Sequence, residues 1–224
     1  MSRLTTTGEQ LAADGYVFLP EFMPELPPRV AVSLLGCIDV VDGLAEFQLL
    51  TPRPLTASTP NTYSGNFGTG EFPLHTDLAH WATPPRYVVL RCLSGTSSVT
   101  TSVVDSLGVV QFVGREALRM AIVQPRRPLR NGKHLLRLLE KPAAAEIDRI
   151  RWDTTFLKPT NAFAAATFAG VRDALLHSRP VQFLLREPGD TLVLDNWRVL
   201  HGRSPVSSDG LQRVLARAYL EAVH

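Results

Sequence analysis

Residues 72–93 read Phe72-Pro73-Leu74-His75-Thr76-Asp77-Leu78-Ala79-His80-Trp81-Ala82-Thr83-Pro84-Pro85-Arg86-Tyr87-Val88-Val89-Leu90-Arg91-Cys92-Leu93. The second half is a β-branched and aromatic run behind two prolines, the composition of a strand entered through a turn. The first half carries His75 and Asp77 at positions i and i+2, which project to one face of an extended backbone. Both can therefore reach a single metal ion from one strand end. The triplet alone is weak: with six histidines and 11 aspartates in 224 residues, chance supplies roughly 0.3 such triplets per chain. Its setting, after a long loop and before a strand, is what gives it weight.

Moving outward, Thr51 to Gly70 is rich in Pro, Ser, Thr, Asn and Gly, and long loops of this kind are often functional. Before it, Thr6 or Thr7 can cap a short helix that Gly15 ends, and Tyr16–Leu19 is strand-like, closed by Pro20 and Pro24. A helical pattern follows from Pro28 to Gly36, then a weak strand over Phe47–Leu50. Downstream, β-type runs occupy Val99–Val104, Ile147–Trp152, Val181–Leu185, Thr191–Leu194 and Val214–Leu220. Helical spacing marks Val110–Val123 and Asn161–His177, the latter with Phe163, Phe168, Val171, Leu175 and Leu176 on a stripe. Short strands with long crossovers and a few helices predict a mainly β fold, a sandwich or jelly roll with supporting helices. With no repeat or linker, residues 1–224 read as one domain.

Composition sets the outer bounds. The apolar fraction of 45% and charged fraction of 20% are those of an ordinary globular chain. A net charge of +2 argues against a nucleic-acid surface, and the local basic run Arg126, Arg127, Arg130, Lys133 and Arg137 reads as a solvated face. Cys37 and Cys92 are too few and too far apart for a disulfide scaffold, so a reducing compartment is expected. The first residues lack an apolar signal core and no stretch is long enough to span a bilayer, which makes the cytoplasm the expected location.

A third ligand must come from elsewhere, and His201 is the best placed, just after the β-type pair Thr191–Leu194 and Val199-Leu200. Two histidines and one carboxylate on one face of an octahedron leave three open positions, the arrangement used by non-heme iron(II) oxygenases. A bidentate cosubstrate takes two and dioxygen the third. Arg213 and Arg217 share a face if their segment is a strand, and paired guanidinium groups suit a carboxylate-bearing substrate or cosubstrate. Trp81 reads as packing or pocket wall, and Asp195, Asn196 and Arg198 as residues that fix the turn before His201.

The stretch from Phe72 to Tyr87 resembles the metal-binding strand of the taurine dioxygenase and clavaminate synthase superfamily. Gly189-Asp190 followed by Asp195-Asn196-Trp197-Arg198-Val199-Leu200-His201-Gly202-Arg203 is similar to its second signature, and Arg213 to Arg217 to its third. The resemblance runs from about Thr59 to Leu220. It implies a double-stranded β-helix (jelly-roll) core, iron(II) on His75, Asp77 and His201, and 2-oxoglutarate with its far carboxylate on Arg213. It also implies a threonine beside that arginine, Thr101 or Thr100. Arg217 would support the cosubstrate or hold an acidic group of the substrate. Asp153, in an Arg-Trp-Asp lid-like segment within an insert of roughly 124–160, would meet a substrate amine. Because Asp77 is present, hydroxylation or a related oxidation of a small polar molecule is expected, with dioxygen consumed and succinate and carbon dioxide released. Such a molecule is an amino acid or natural-product intermediate, or a carrier-bound form for which the basic run is a dock. The competing expectations are a non-catalytic jelly-roll binding protein and a cupin-type metalloenzyme independent of 2-oxoglutarate. Oligomeric state is not encoded in any of these features.

Overall fold

The computed structural model describes residues 6–127, 134–143 and 147–224. Arg130 and Lys133 of the basic run lie outside these residues. The N-terminal helix α1 (Thr7–Asp14) begins at Thr6, whose hydroxyl accepts from Glu9 N while the Glu9 carboxylate accepts from Thr6 N. It stops at Gly15, φ 79°, a left-handed position that favours a residue without Cβ. The chain then enters β1 (Tyr16–Leu19), α2 (Pro28–Ser33), β2 (Gly36–Ile38) and β3 (Gln48–Leu50). The Thr51–Gly70 segment is not wholly irregular, since it holds a 3-10 turn at Leu55–Ala57 and the short helix α3 (Tyr63–Phe67).

Next come β4 (Phe72–His75), β5 (Tyr87–Ser94) and β6 (Thr100–Asp105). The single helix expected over Val110–Val123 is instead two, α4 (Ser106–Val113) and α5 (Arg115–Met120), followed by strand β7 (Ile122–Pro125). Gly114 at φ 94° breaks the helical path between them, and Asp105 caps the earlier start by accepting from Leu107 N. The expected strand over Ile147–Trp152 shrinks to β10 (Arg149–Ile150), paired with β9 (Leu139–Glu140). The strand β8 (Leu136–Arg137) and β11 (Leu157–Pro159) flank β7. Helix α6 (Ala162–Leu176), capped by Asn161, precedes β12 (Val181–Leu184), β13 (Thr191–Asp195), β14 (Val199–Arg203) and β15 (Val214–Val223).

Two antiparallel sheets form the core. The larger runs β1-β13-β5-β15-β2 with β3 also on β15, and the smaller runs β12-β6-β14-β4. Their facing sides pack Val88, Leu90, Leu192, Leu194 and Leu215 against Val103 and Val199. The outer face of the larger sheet is covered by α1 and α2 through Leu11, Val32 and Leu35 against Val89, Val193 and Ala218. Covered on both faces, β13 is buried at every residue, which explains its uninterrupted apolar run. On the smaller sheet's side, α4, α5 and α6 build a third cluster around Trp152, Phe168, Val171 and Leu200. Truncating Phe168, 4% exposed and packed on Trp152 at 4.3 Å, would cost about 3–5 kcal/mol. This is a mainly β, double-stranded β-helix core with helical supports. Among the described residues, no helix is long and apolar enough to cross a membrane.

Candidate metal and cosubstrate site

His75 ends β4, and His201 sits inside β14 rather than after it, directly opposite His75 in the strand register. Cross-strand partners stand close on one face of a sheet, and the two imidazole rings are 4.5 Å apart. Asp77, two residues beyond His75, brings Oδ1 to 3.5 Å from His75 Nε2 and 3.6 Å from His201 Nε2. The three ligand atoms lie within 4.8 Å of one another, all on buried residues.

Each group is aimed by a neighbour. His75 Nδ1–H donates to the Pro73 carbonyl at 2.8 Å, so its Nε2 carries the lone pair. Asp77 Oδ2 accepts from Arg217 Nη1 at 2.9 Å and from Tyr219 O–H at 3.1 Å, which turns Oδ1 toward the imidazoles. Burial alone would raise the Asp77 pKa, but the Arg217 guanidinium beside it outweighs that and holds the carboxyl well below its usual range. Gly202 lets β14 pass β4 at the bulge between His201 and Arg203, since a Cβ there would stand 2.7 Å from the Phe72 carbonyl.

The turn that carries Asp77 is clamped from the β13–β14 connection. Asn196, 1% exposed, accepts from Asp77 N at 2.7 Å and donates to the carbonyls of Asp77 at 3.0 Å and Pro85 at 2.9 Å. Trp197 Nε1 donates to the Pro84 carbonyl at 3.1 Å, and Asn196 N to that of Arg86. Leu78 next to Asp77 is left-handed at φ 54°, a conformation that costs a branched side chain about 1–3 kcal/mol and persists only under such restraint.

The triad lies in a cavity of about 520 Å³ between the sheets. It is also lined by Arg213, 5% exposed, and Thr101, 2% exposed, whose hydroxyl accepts from Arg213 Nη2 at 3.4 Å. Thr101 lies two residues from Val103, the register partner of His201 on β6, or about 7 Å along the strand. Arg213 Nε is buried with no partner among the described residues, and burial lowers the guanidinium pKa to about 10. Thr100, adjacent to Thr101 in β6 and so on the opposite face of the strand, is not part of the lining.

Trp81 is in the cavity wall and Arg217 lies between Asp77 and Gln48, its Nη2 donating to Gln48 Oε1. Asp153 is 1% exposed and outside the lining, with Oδ2 accepting from Tyr63 O–H at 2.6 Å and Oδ1 from Thr155 N and Phe156 N. Sequence reasoning did not find Tyr63, whose ring stacks on His75 at 4.1 Å. Tyr63 opens α3, a helix of five residues that is too short to carry a periodic signal. Tyr219 was findable, being two residues beyond Arg217 on one face of β15. Arg203 was quoted only as part of a motif; it holds the loop by donating to the Gly68 and Gly70 carbonyls and lies 3.6 Å over the Phe72 ring.

No protein-family model matches the chain. Solved structures do. An asparagine oxygenase in complex with Fe(II), 2S,3S-3-hydroxyasparagine and succinate superposes with a TM-score of 0.68 at 19% identity, covering 92% of this chain and 74% of that one. The fold is shared. The PvcB protein from Pseudomonas aeruginosa gives 0.67 at 16% identity over 95% and 77% of the two chains. The non-heme iron oxygenase OrfP, in complex with Fe, succinate and (3S)-hydroxy-L-Arg, gives 0.65 at 18% over 94% and 76%.

Proposed function

We propose that the protein is an iron(II)- and 2-oxoglutarate-dependent oxygenase that hydroxylates an unactivated C–H bond of a small carboxylate-bearing molecule. The observation that carries this reading is the convergence of His75, Asp77 and His201 in a cavity that is also lined by the paired Arg213 and Thr101. The donor set fits the metal: two imidazole Nε2 lone pairs and one carboxylate oxygen, already oriented by Pro73, Arg217 and Tyr219. The cosubstrate fits as well, because the unpartnered Arg213 Nε and the Thr101 hydroxyl offer a carboxylate the fork it prefers. Bound together, iron(II) and 2-oxoglutarate supply dioxygen activation coupled to release of succinate and carbon dioxide.

The protein's share of the work is positional. Arg213 neutralises the far carboxylate in a buried setting where charge pairing is strong. Arg217 and Tyr219 hold the Asp77 carboxylate in one rotation, and the Asn196 clamp fixes the turn that carries it. Tyr63, Trp81 and Phe156 wall the cavity against water. The fold and the bound molecules of the asparagine oxygenase and OrfP support the reading. Two unpaired cysteines and the absence, among the described residues, of a membrane-crossing helix fit a cytoplasmic enzyme.

The test is succinate release from 2-oxoglutarate with iron(II), ascorbate and air, comparing wild type with Asp77→Ala and Arg213→Ala. Loss of turnover in Asp77→Ala with a raised 2-oxoglutarate requirement in Arg213→Ala is expected. Full-rate turnover in Asp77→Ala overturns the ligand assignment. Metal binding with no succinate from wild type favours a non-catalytic binding protein, and oxygen uptake indifferent to Arg213→Ala favours a cosubstrate-independent enzyme.

A further inference from the structure

The charged part of the cavity is mostly cationic. Four arginines line it, Arg53, Arg203, Arg213 and Arg217, and among the described lining residues Asp77 is the one acid. Both Asp77 oxygens are committed, Oδ1 to the proposed metal position it shares with His75 and His201 and Oδ2 to Arg217 and Tyr219. The Gln48 side-chain carbonyl accepts from Arg217. Asp153, which the sequence offered as a partner for a substrate amine, is spent on Tyr63 and two backbone N–H groups.

The donors are not all used. Of five guanidinium N–H groups, one on Arg213 goes to Thr101 and two on Arg217 go to Asp77 and Gln48, leaving four and three. His80, also in the lining, adds another. Trp81 Nε1–H donates to His80 Nε2 at 3.1 Å, so the ring proton sits on Nδ1, which has no partner among the described residues. A 2-oxoglutarate carboxylate on Arg213 leaves the Arg217 and His80 donors still without acceptors. The remaining wall joins apolar Leu44, Leu50, Leu78, Trp81 and Phe156 to neutral Ser58, Thr59, Asn61, Thr62 and Ser64, none of which carries a charge to balance an ammonium.

From this balance we infer that the molecule oxidised is a carboxylic acid with an apolar body and no free ammonium group, such as an N-acylated or deaminated amino acid. The inference rests on the oxygenase reading and narrows its substrate. The carboxylate meets Arg217, and an acyl carbonyl, where present, accepts from His80 Nδ1–H. A free ammonium would enter among arginines with no uncommitted carboxylate to receive it, an unpaired buried charge. The asparagine oxygenase and OrfP structures hold hydroxylated free amino acids, so this chain would divide from them in substrate charge.

The test uses matched triplets sharing one side chain: phenylalanine, N-acetylphenylalanine and 3-phenylpropanoate, with the leucine series as a second body. Binding to the iron(II) and 2-oxoglutarate complex is measured by calorimetry without oxygen, so no turnover is needed. The ammonium-free members are expected to bind at least about tenfold tighter than the free amino acid in each series. Arg217→Gln, with 2-oxoglutarate binding checked separately, should erase that preference. A free amino acid binding as tightly as its acylated partner overturns the inference, and so does failure of every member to bind. Failure of 2-oxoglutarate itself to bind is a separate result that sinks the oxygenase reading; the triplets are then ranked on the iron(II) protein alone.

Discussion

Replacing Asn196 with alanine tests the clamp that holds Asp77. The substitution strips the partner from three buried backbone groups: the Asp77 N–H, the Asp77 carbonyl and the Pro85 carbonyl. Each orphaned group costs about 1–3 kcal/mol. Water entering the vacated side-chain volume would bring the total to the low end, roughly 3–4 kcal/mol. That is a large part of the 5–15 kcal/mol that holds a typical domain together, so the variant should fold but melt earlier by roughly 6–16 °C. The turn at Asp77 and left-handed Leu78 would also relax, lowering metal affinity by about 10- to 100-fold. Differential scanning calorimetry and iron(II) titration read the two effects. Asn196→Asp keeps an acceptor for Asp77 N–H but sets a buried carboxylate oxygen against the Asp77 and Pro85 carbonyls, and should melt no higher than alanine at neutral pH. A change under about 1 kcal/mol together with unaltered metal affinity would refute the clamp.

Arg213→Ala is expected to raise the 2-oxoglutarate KM roughly 30-fold or more, with Arg213→Lys recovering only part because it keeps charge but loses the fork; steady-state kinetics at saturating substrate decides it. Glu140→Ala leaves Arg149 and Arg151, 8% and 1% exposed in their side chains, without their shared carboxylate, and should cost about 3–5 kcal/mol in urea unfolding. Burial would raise the Glu140 pKa, but Arg151 and Arg149 outweigh it and lower it. Its stabilisation is therefore present above the ordinary carboxylate range and lost as pH falls, so the alanine variant should show a shallower acid-side loss of stability. Burial pushes the Cys92 thiol up to about 11, while Cys37 is exposed. One alkylation per folded chain at pH 8 is expected, abolished by Cys37→Ser, and mass spectrometry would expose the error if two labels appear. Because the folded Cys92 pKa lies above its unfolded value, its contribution to stability is full below about 9 and fades as pH rises through about 11.

Much of the site was legible because its chemistry is written in short-range spacing. His75 and Asp77 at i and i+2, and Arg213 near Arg217, need only the strand period to be placed on a face. Asn196 was readable as a turn-fixing residue for a similar reason. What the sequence could not show is the long-range part. The opposition of His201 to His75 depends on strand pairing across 126 positions of chain, and placing His201 after a strand rather than within β14 misses it. The helix break at Gly114 was hidden by apolar spacing that continues through it into β7, where tertiary pairing with β11 overrides helical periodicity. Asp153 shows a different limit: an acid in the right segment is not a free acid, since Tyr63, 90 positions away, and two N–H groups have claimed it.

The register between β4 and β14 has a consequence for how the protein matures. Side chains alternate across a strand, so sliding β14 by one residue would turn His201 toward the helices and leave the third ligand missing. On the proposed ligand set, a chain with the strands mispaired would hold iron only through His75 and Asp77, and weakly. On the same ligand set, metal affinity would report whether β4 and β14 have paired in the native register, since only that register sets His201 opposite His75.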